Sequence, residues 1–204
     1  MIHSVRQISE HTILGIWKID ESLDQLKALV SEDEISSCDH FHPKKQLEHL
    51  ASRLLVKTLC QNQSWEYQGI EKDEHGKPFF TNLPYHLSIS HSPPWVGALI
   101  DQKKPCGIDI ERPREQLLKI KRKFLNPTEQ MECGENLDLL CLYWCAKESV
   151  YKIHGRKQLS FADNIQVKNS SNEMISTEIV NTSHDEKIVL HFEKIEDFYL
   201  VHSG

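Results

Sequence analysis

Apolar positions along the chain recur with two periods, one near two residues and one near 3.6. The run from Thr12 to Ile19 is apolar and β-rich and predicts a first strand. Leu23, Leu26 and Val30 fall at helical spacing and predict a helix over residues 21–30, capped by Asp20. Pro43 stands where a helix begins, and Leu47, Leu50, Leu54, Leu55 and Leu59 carry the helical pattern through residues 44–61. Residues 73–78 hold Gly76 and read as a turn. Strands are expected over 86–90 and 95–101, joined by Ser92-Pro93-Pro94. After a polar break at 103–105 the order restarts. A strand over 106–111 precedes a basic helical stretch over 116–124, ended by Asn126-Pro127. A long apolar helix over 137–154 follows, stopped by Gly155. Candidate strands lie at 165–168, 174–180, 187–192 and 198–202. Each half thus runs strand, helix, long helix, strands, although the residues of the halves do not match. The expectation is an α+β protein of two similar lobes, residues 1–102 and 103–204, joined around 101–105 without a low-complexity linker.

Composition narrows the class. The chain has 204 residues, of which 39% are hydrophobic and 26% charged. That suits an ordered domain protein rather than a disordered or fibrous one. No apolar stretch approaches the ~20 residues of a membrane span. Twenty-four basic against 30 acidic residues leave a net charge of −6, which argues against a protein that coats nucleic acid. The six cysteines, at 38, 60, 106, 133, 141 and 145, include no C-x-x-C pair. Cys141 and Cys145 sit one helical turn apart in an apolar helix, as small core residues do. The first ten residues lack an apolar secretory core, so a reducing, cytoplasmic setting is expected. Cys38, His40 and His42 alternate, but no second ligand pair follows at zinc-site spacing.

Four segments carry chemistry. In Gly107-Ile108-Asp109-Ile110-Glu111, strand alternation turns Ile108 and Ile110 to the core and Asp109 and Glu111 together to the other face. Two carboxylates so placed can clamp a hard cation such as Mg²⁺; a plain exposed strand is the bland alternative. In the long helix, Trp144, Glu148 and Lys152 follow one another at one-turn spacing. A solvated ion pair would be ordinary, but the surrounding Leu137, Leu139, Leu140, Leu142, Tyr143 and Val150 predict a largely buried helix whose charges need partners. In residues 86–92, alternation puts His86, Ser88 and Ser90 on one face and Leu87 and Ile89 on the other. Ser90 and His91 then point apart, which disfavours a nucleophilic dyad and favours phosphate contact. Gly76-Lys77-Pro78 alone is an ordinary turn.

Taken in order, Gly76-Lys77-Pro78, Ser88 to Ser92, Gly107 to Glu111 and Trp144 to Lys152 resemble the motifs of the 4′-phosphopantetheinyl transferases of the Sfp type. The resemblance implies two α/β lobes related by pseudo-twofold symmetry, with the metal site in the second. It implies transfer of the 4′-phosphopantetheine arm of coenzyme A to a serine of an apo acyl or peptidyl carrier protein, with release of 3′,5′-ADP. By this analogy Asp109 and Glu111 hold Mg²⁺, or Mn²⁺ in its place, with Glu148 as third ligand or general base. Lys152 stabilises the departing phosphate, Ser90 and His91 contact phosphates, and Lys77 contacts the nucleotide of coenzyme A. Residues 29–37 contain no Lys or Arg where family members often place cations for the 3′-phosphate, so Arg53, which shares a helix face with Lys57, is the expected substitute.

Arg112, Arg114, Lys119, Lys121, Arg122 and Lys123, opposed only by Glu115, form a basic segment suited to steering an acidic carrier. The partners expected are therefore coenzyme A and a carrier protein, with no nucleic acid and no membrane, and a monomer if two lobes complete one site. Competing readings are another Mg²⁺-dependent phosphotransferase or hydrolase on Asp109 and Glu111, and a non-catalytic coenzyme A- or carrier-binding module.

Overall fold

The computed structural model describes residues 1–155, 159–171, 173–180 and 185–204. The chain divides into two units, Met1–Pro105 and Cys106–Gly204. In the first, β1 (Ile2–Gln7) and β2 (Thr12–Lys18) form a hairpin. β1 escapes the apolar pattern because half of it is exposed and its register shifts between Ile2 and Ser4, which breaks the alternation. The helix expected over 21–30 is shorter, α1 (Leu23–Lys27), and a second short helix that the pattern does not show follows it, α2 (Glu32–Ser36). Each begins with a capping box, Ser22 with Gln25 and Ser31 with Glu34, so Ser22 rather than Asp20 is the first cap. α3 (Pro43–Asn62) starts on Pro43 and buries Leu50, Leu54, Leu55 and Leu59. β3 (Ile70–Lys72) and β4 (Pro78–Phe80) flank the Gly76 turn as a two-stranded ribbon. β5 (His86–Ser92) and β6 (Trp95–Asp101) complete a four-stranded antiparallel sheet in the order β1-β2-β6-β5, and α3 packs on β2, β5 and β6.

The second unit opens with β7 (Ile108–Glu111), followed by α4 (Glu115–Phe124), α5 (Pro127–Cys133), α6 (Leu137–His154) and α7 (Phe161–Asn164). α5 was not foreseen. Asn126 caps it, Pro127 takes the first helical position and Glu129 closes the capping box, so Asn-Pro here starts a helix as well as ending one. α6 has the expected bounds, and Gly155 ends it with φ 76°, the left-handed conformation that favours glycine. The strands β8 (Ile165–Ser171), β9 (Met174–Ile179), β10 (Glu186–Ile195) and β11 (Phe198–Ser203) form with β7 a five-stranded antiparallel sheet, ordered β7-β11-β10-β9-β8. α6 lies on β7, β11, β8 and β9. Its buried Leu140, Cys141, Tyr143, Cys145, Ala146 and Val150 form the core with Ile165, Ile175, Leu190 and Val201. No helix among the described residues is long and apolar enough to cross a membrane.

Candidate active site

β7 is held by β11, with Val201 opposite Asp109 and Tyr199 opposite Glu111. Ile108 and Ile110 are buried, Asp109 is 6% exposed and Glu111 is half-buried. The strand meets α6 at Gly107, where a Cβ would stand 2.1 Å from the Ser149 carbonyl oxygen. Only hydrogen fits there, so the glycine sets how near the strand comes to the helix. Ser149 in turn donates from Oγ to the Val201 carbonyl at 3.1 Å, tying α6 to β11 as well.

This close approach brings Lys152 to the carboxylate strand. Its Nζ donates to Asp109 Oδ1 at 2.9 Å and to the Ile108 carbonyl at 2.7 Å. Glu111 takes two other donors: Arg114 Nη2 reaches Oε2 at 2.7 Å, and the Arg112 amide reaches Oε1 at 3.0 Å. Glu148, half-buried, lies one turn before Lys152 on α6, and Trp144 one turn before that, edge-on to Phe124. Negative charge is concentrated here. Burial pushes the Cys145 thiol well up, the Cys141 contact adds to this, and Asp109 and Glu111 push the same way.

The donor set can be tested for a metal on its chemistry. Asp109 and Glu111 offer hard oxygens from one face of a rigid strand, and each already holds a cationic nitrogen, as an anionic pair that attracts cations should. The pair fits a hard divalent cation. Among the described residues no group of three or more His, Cys, Asp or Glu side chains converges as a ligand set. Glu148 is therefore not gathered with Asp109 and Glu111 into a preformed triad. A third carboxylate is repelled by two others until a cation lies between them.

In the first unit the four expected residues stand on three elements. Arg53, 7% exposed on α3, lines a cavity of about 800 Å³ with Lys57, His49, Tyr67, Glu34 and Lys72, among others. Burial lowers the Arg53 pKa, and Tyr67 and Glu34 oppose that shift. His49 is pushed down to about 4, first by burial and then by the charges of Arg53, Lys72, His40 and His91. Lys77 sits in the β3–β4 turn, its amide donating to Asp73 Oδ1 at 2.7 Å. On β5, Ser90 is buried and His91 exposed, as alternation requires, and His91 Nδ1 lies 3.3 Å from Glu48 Oε2 of α3. Lys77, Ser90 and His91 do not line the Arg53 cavity. Glu48 is a partner that no motif signalled. The basic segment of α4 is less uniform than its sequence: Lys121 donates to the Gly134 carbonyl at 2.8 Å and Arg114 is paired with Glu111, while Lys119, Arg122 and Lys123 are exposed.

Residues 105–201 match the profile of the 4′-phosphopantetheinyl transferase superfamily. Over 187 residues, 87% of this chain and 83% of its relative, the protein is 27% identical to a 4′-phosphopantetheinyl transferase of Bacillus subtilis. It is 28% identical over 172 residues to 4′-phosphopantetheinyl transferase Sfp of Bacillus subtilis strain 168, which covers 78% of this chain and 75% of that protein. A 4′-phosphopantetheinyl transferase of Aneurinibacillus migulanus shares 37% identity over 90 residues, 42% of this chain and 37% of its own. The profile spans almost all of the second unit and the alignments extend into the first, so the chain is similar over both units to the 4′-phosphopantetheinyl transferases.

Proposed function

We propose that this protein transfers the 4′-phosphopantetheine arm of coenzyme A to a serine hydroxyl of an apo acyl or peptidyl carrier protein, releasing 3′,5′-ADP. The observation that carries the reading is the seating of Lys152 on Asp109 where α6 crosses the carboxylate strand. Charge neutralisation and positioning are what phosphoryl transfer chiefly demands. A Mg²⁺ or Mn²⁺ held by Asp109 and Glu111, with Glu148 joining them, would supply charge neutralisation at the diphosphate. Glu148 is also placed to accept the proton of the attacking serine. The serine oxygen then bonds to the pantetheine-side phosphorus, and the bond from that phosphorus to the bridging oxygen of the diphosphate breaks. Lys152 balances the charge that grows on the departing 3′,5′-ADP. Ser90 and His91 are assigned to the phosphates of coenzyme A, Lys77 to its nucleotide and Arg53 to its 3′-phosphate. The exposed cations of α4, Lys119, Arg122 and Lys123, are assigned to meeting an acidic carrier. Six free, buried cysteines support a reducing compartment, and the reading needs only one copy of the chain.

Incubation with coenzyme A, Mg²⁺ and a purified apo carrier, followed by intact mass spectrometry, tests the reading. The carrier should gain one phosphopantetheine. Asp109→Ala should lose at least ~10² in turnover, the scale of removing an electrostatic stabiliser. No mass gain with any apo carrier, or normal turnover by the Asp109→Ala protein, would remove it.

A further inference from the structure

We infer that the buried Lys147–Glu129 pair is a positioning device that fixes the rotation and height of α6, and so presents Glu148 and Lys152 to the β7 strand. The inference rests on the function proposed above for those two residues. Lys147 is completely buried and Glu129 is 1% exposed, yet neither has a part in the transfer chemistry. Lys147 Nζ donates to Glu129 Oε2 at 2.6 Å and to the Phe161 carbonyl at 2.9 Å. Glu129 accepts at Oε1 from the Val167 amide at 2.8 Å and at Oε2 from the Asn126 amide at 2.9 Å. One ammonium and one carboxylate therefore join α6 to the start of α5, to α7 and to β8.

Stability alone does not account for such a pair. Desolvating two charges is costly, and apolar side chains of similar volume often stabilise a core as well or better. What apolar contacts lack is direction. A leucine cluster tolerates a helix that slides or rolls by an ångström, whereas a 2.6 Å ion pair with every carboxylate bond assigned does not. Lys147 immediately precedes Glu148. Successive helical residues point about 100° apart, so anchoring one sets where the next one points. On the β7 side, the Gly107–Ser149 contact limits how near α6 comes to the strand. That contact governs distance, and the Lys147–Glu129 pair governs rotation. Effective catalysis depends on both, because a 1 Å misplacement can cost ~10²-fold in rate.

The test replaces both charges at once, Lys147→Met with Glu129→Leu, so that no buried charge is stranded. The expected protein folds cooperatively, at a urea midpoint below that of the wild type because the Val167 and Asn126 amides lose their acceptor. Its kcat falls at least tenfold while the KM for coenzyme A changes less than twofold. Hydrogen exchange of the amides in the turn from Glu148 to Lys152 should quicken by more than the fall in global stability accounts for. A purely structural pair would give the opposite pattern, with wild-type kcat in the folded variant, and that result would overturn the inference. If the apolar variant does not fold, Glu129→Gln, which keeps the shape and weakens the bond to Lys147, is judged by the same two outcomes. Should the wild type prove inactive toward coenzyme A, the proposed function fails on its own. The exchange measurement still decides the positioning role: unchanged protection of the Glu148–Lys152 turn rejects it.

Discussion

Gly107→Ala is the sharpest test of how the site is assembled. The added Cβ would lie 2.1 Å from the Ser149 oxygen, 2.9 Å from the Ser149 carbonyl carbon and 2.9 Å from Ile153 Cγ1. A carbon–oxygen contact is comfortable at about 3.3 Å, so strand and helix must part by about 1 Å. The obstacle is backbone, and a rotamer change cannot relieve it. Overpacking of this kind costs ~1–3 kcal/mol, and the upper end applies where both sides are regular structure. The same 1 Å separates Asp109 and Glu111 from α6, so turnover should fall by ~10² even in the folded fraction. Urea unfolding gives the first quantity. Steady-state transfer to an apo carrier, at a temperature where the variant is folded, gives the second. An alanine variant within about 0.5 kcal/mol of the wild type, with normal kcat, would show that the strand–helix spacing is not set at Gly107.

Other perturbations reach separate parts of the molecule. Glu148→Gln and Lys152→Ala should each cut kcat by ~10²–10⁴ with the fold retained by circular dichroism. The double variant should be little worse than the worse single one, since residues acting as a unit are not additive; near-normal kcat in folded Glu148→Gln would take the pair out of the mechanism. Replacing Lys119, Arg122 and Lys123 with Ala should raise the carrier KM and flatten its salt dependence, leaving that for coenzyme A alone; Lys121 is spared because it holds the Gly134 carbonyl. His49 resists protonation in the folded state, with a pKa near 4 against about 6.5 when unfolded. Between those values the unfolded chain binds the extra proton, so the stability present above pH 6.5 is lost as pH falls toward 4. Urea midpoints at pH 7.5 and 5 should therefore draw together in His49→Gln, and an undiminished gap would place the acid sensitivity elsewhere.

How much of this was legible in the chain varies with the distance over which each feature is determined. α6 is evident because eighteen residues of apolar pattern end on a glycine whose left-handed conformation is a local requirement. α5 and α2 were missed although their capping signals are present, since helices of seven and five residues supply too few turns to show a period. Alternation on β7 rightly paired Asp109 with Glu111 on one face, and the one-turn spacing of Arg53 and Lys57 placed both on the same cavity. What lies next to those groups was not readable. Lys152 reaches Asp109 across 43 residues of sequence, and Lys147 finds Glu129 across 18, by contacts that depend on how helices and sheet are docked. His91 likewise meets Glu48 only because β5 packs against α3.

The place of β7 in its sheet has a consequence for how the protein is made. Within the five-stranded sheet, β7 stands at the end of the order and pairs with β11. Ile108 faces His202, about ninety residues downstream, and Gly107 exchanges hydrogen bonds with Ser203. The strand that bears Asp109 and Glu111 therefore emerges from the ribosome long before the strand that gives it a ladder to join. Such a pairing carries a heavy loop-closure cost and forms late. A chain halted after α6 would contain every carboxylate and lysine assigned to the second unit's chemistry, yet it would have no platform on which to align them. Activity should thus appear in a translating chain only once β11 is clear of the exit tunnel, which makes competence a property of the finished sheet.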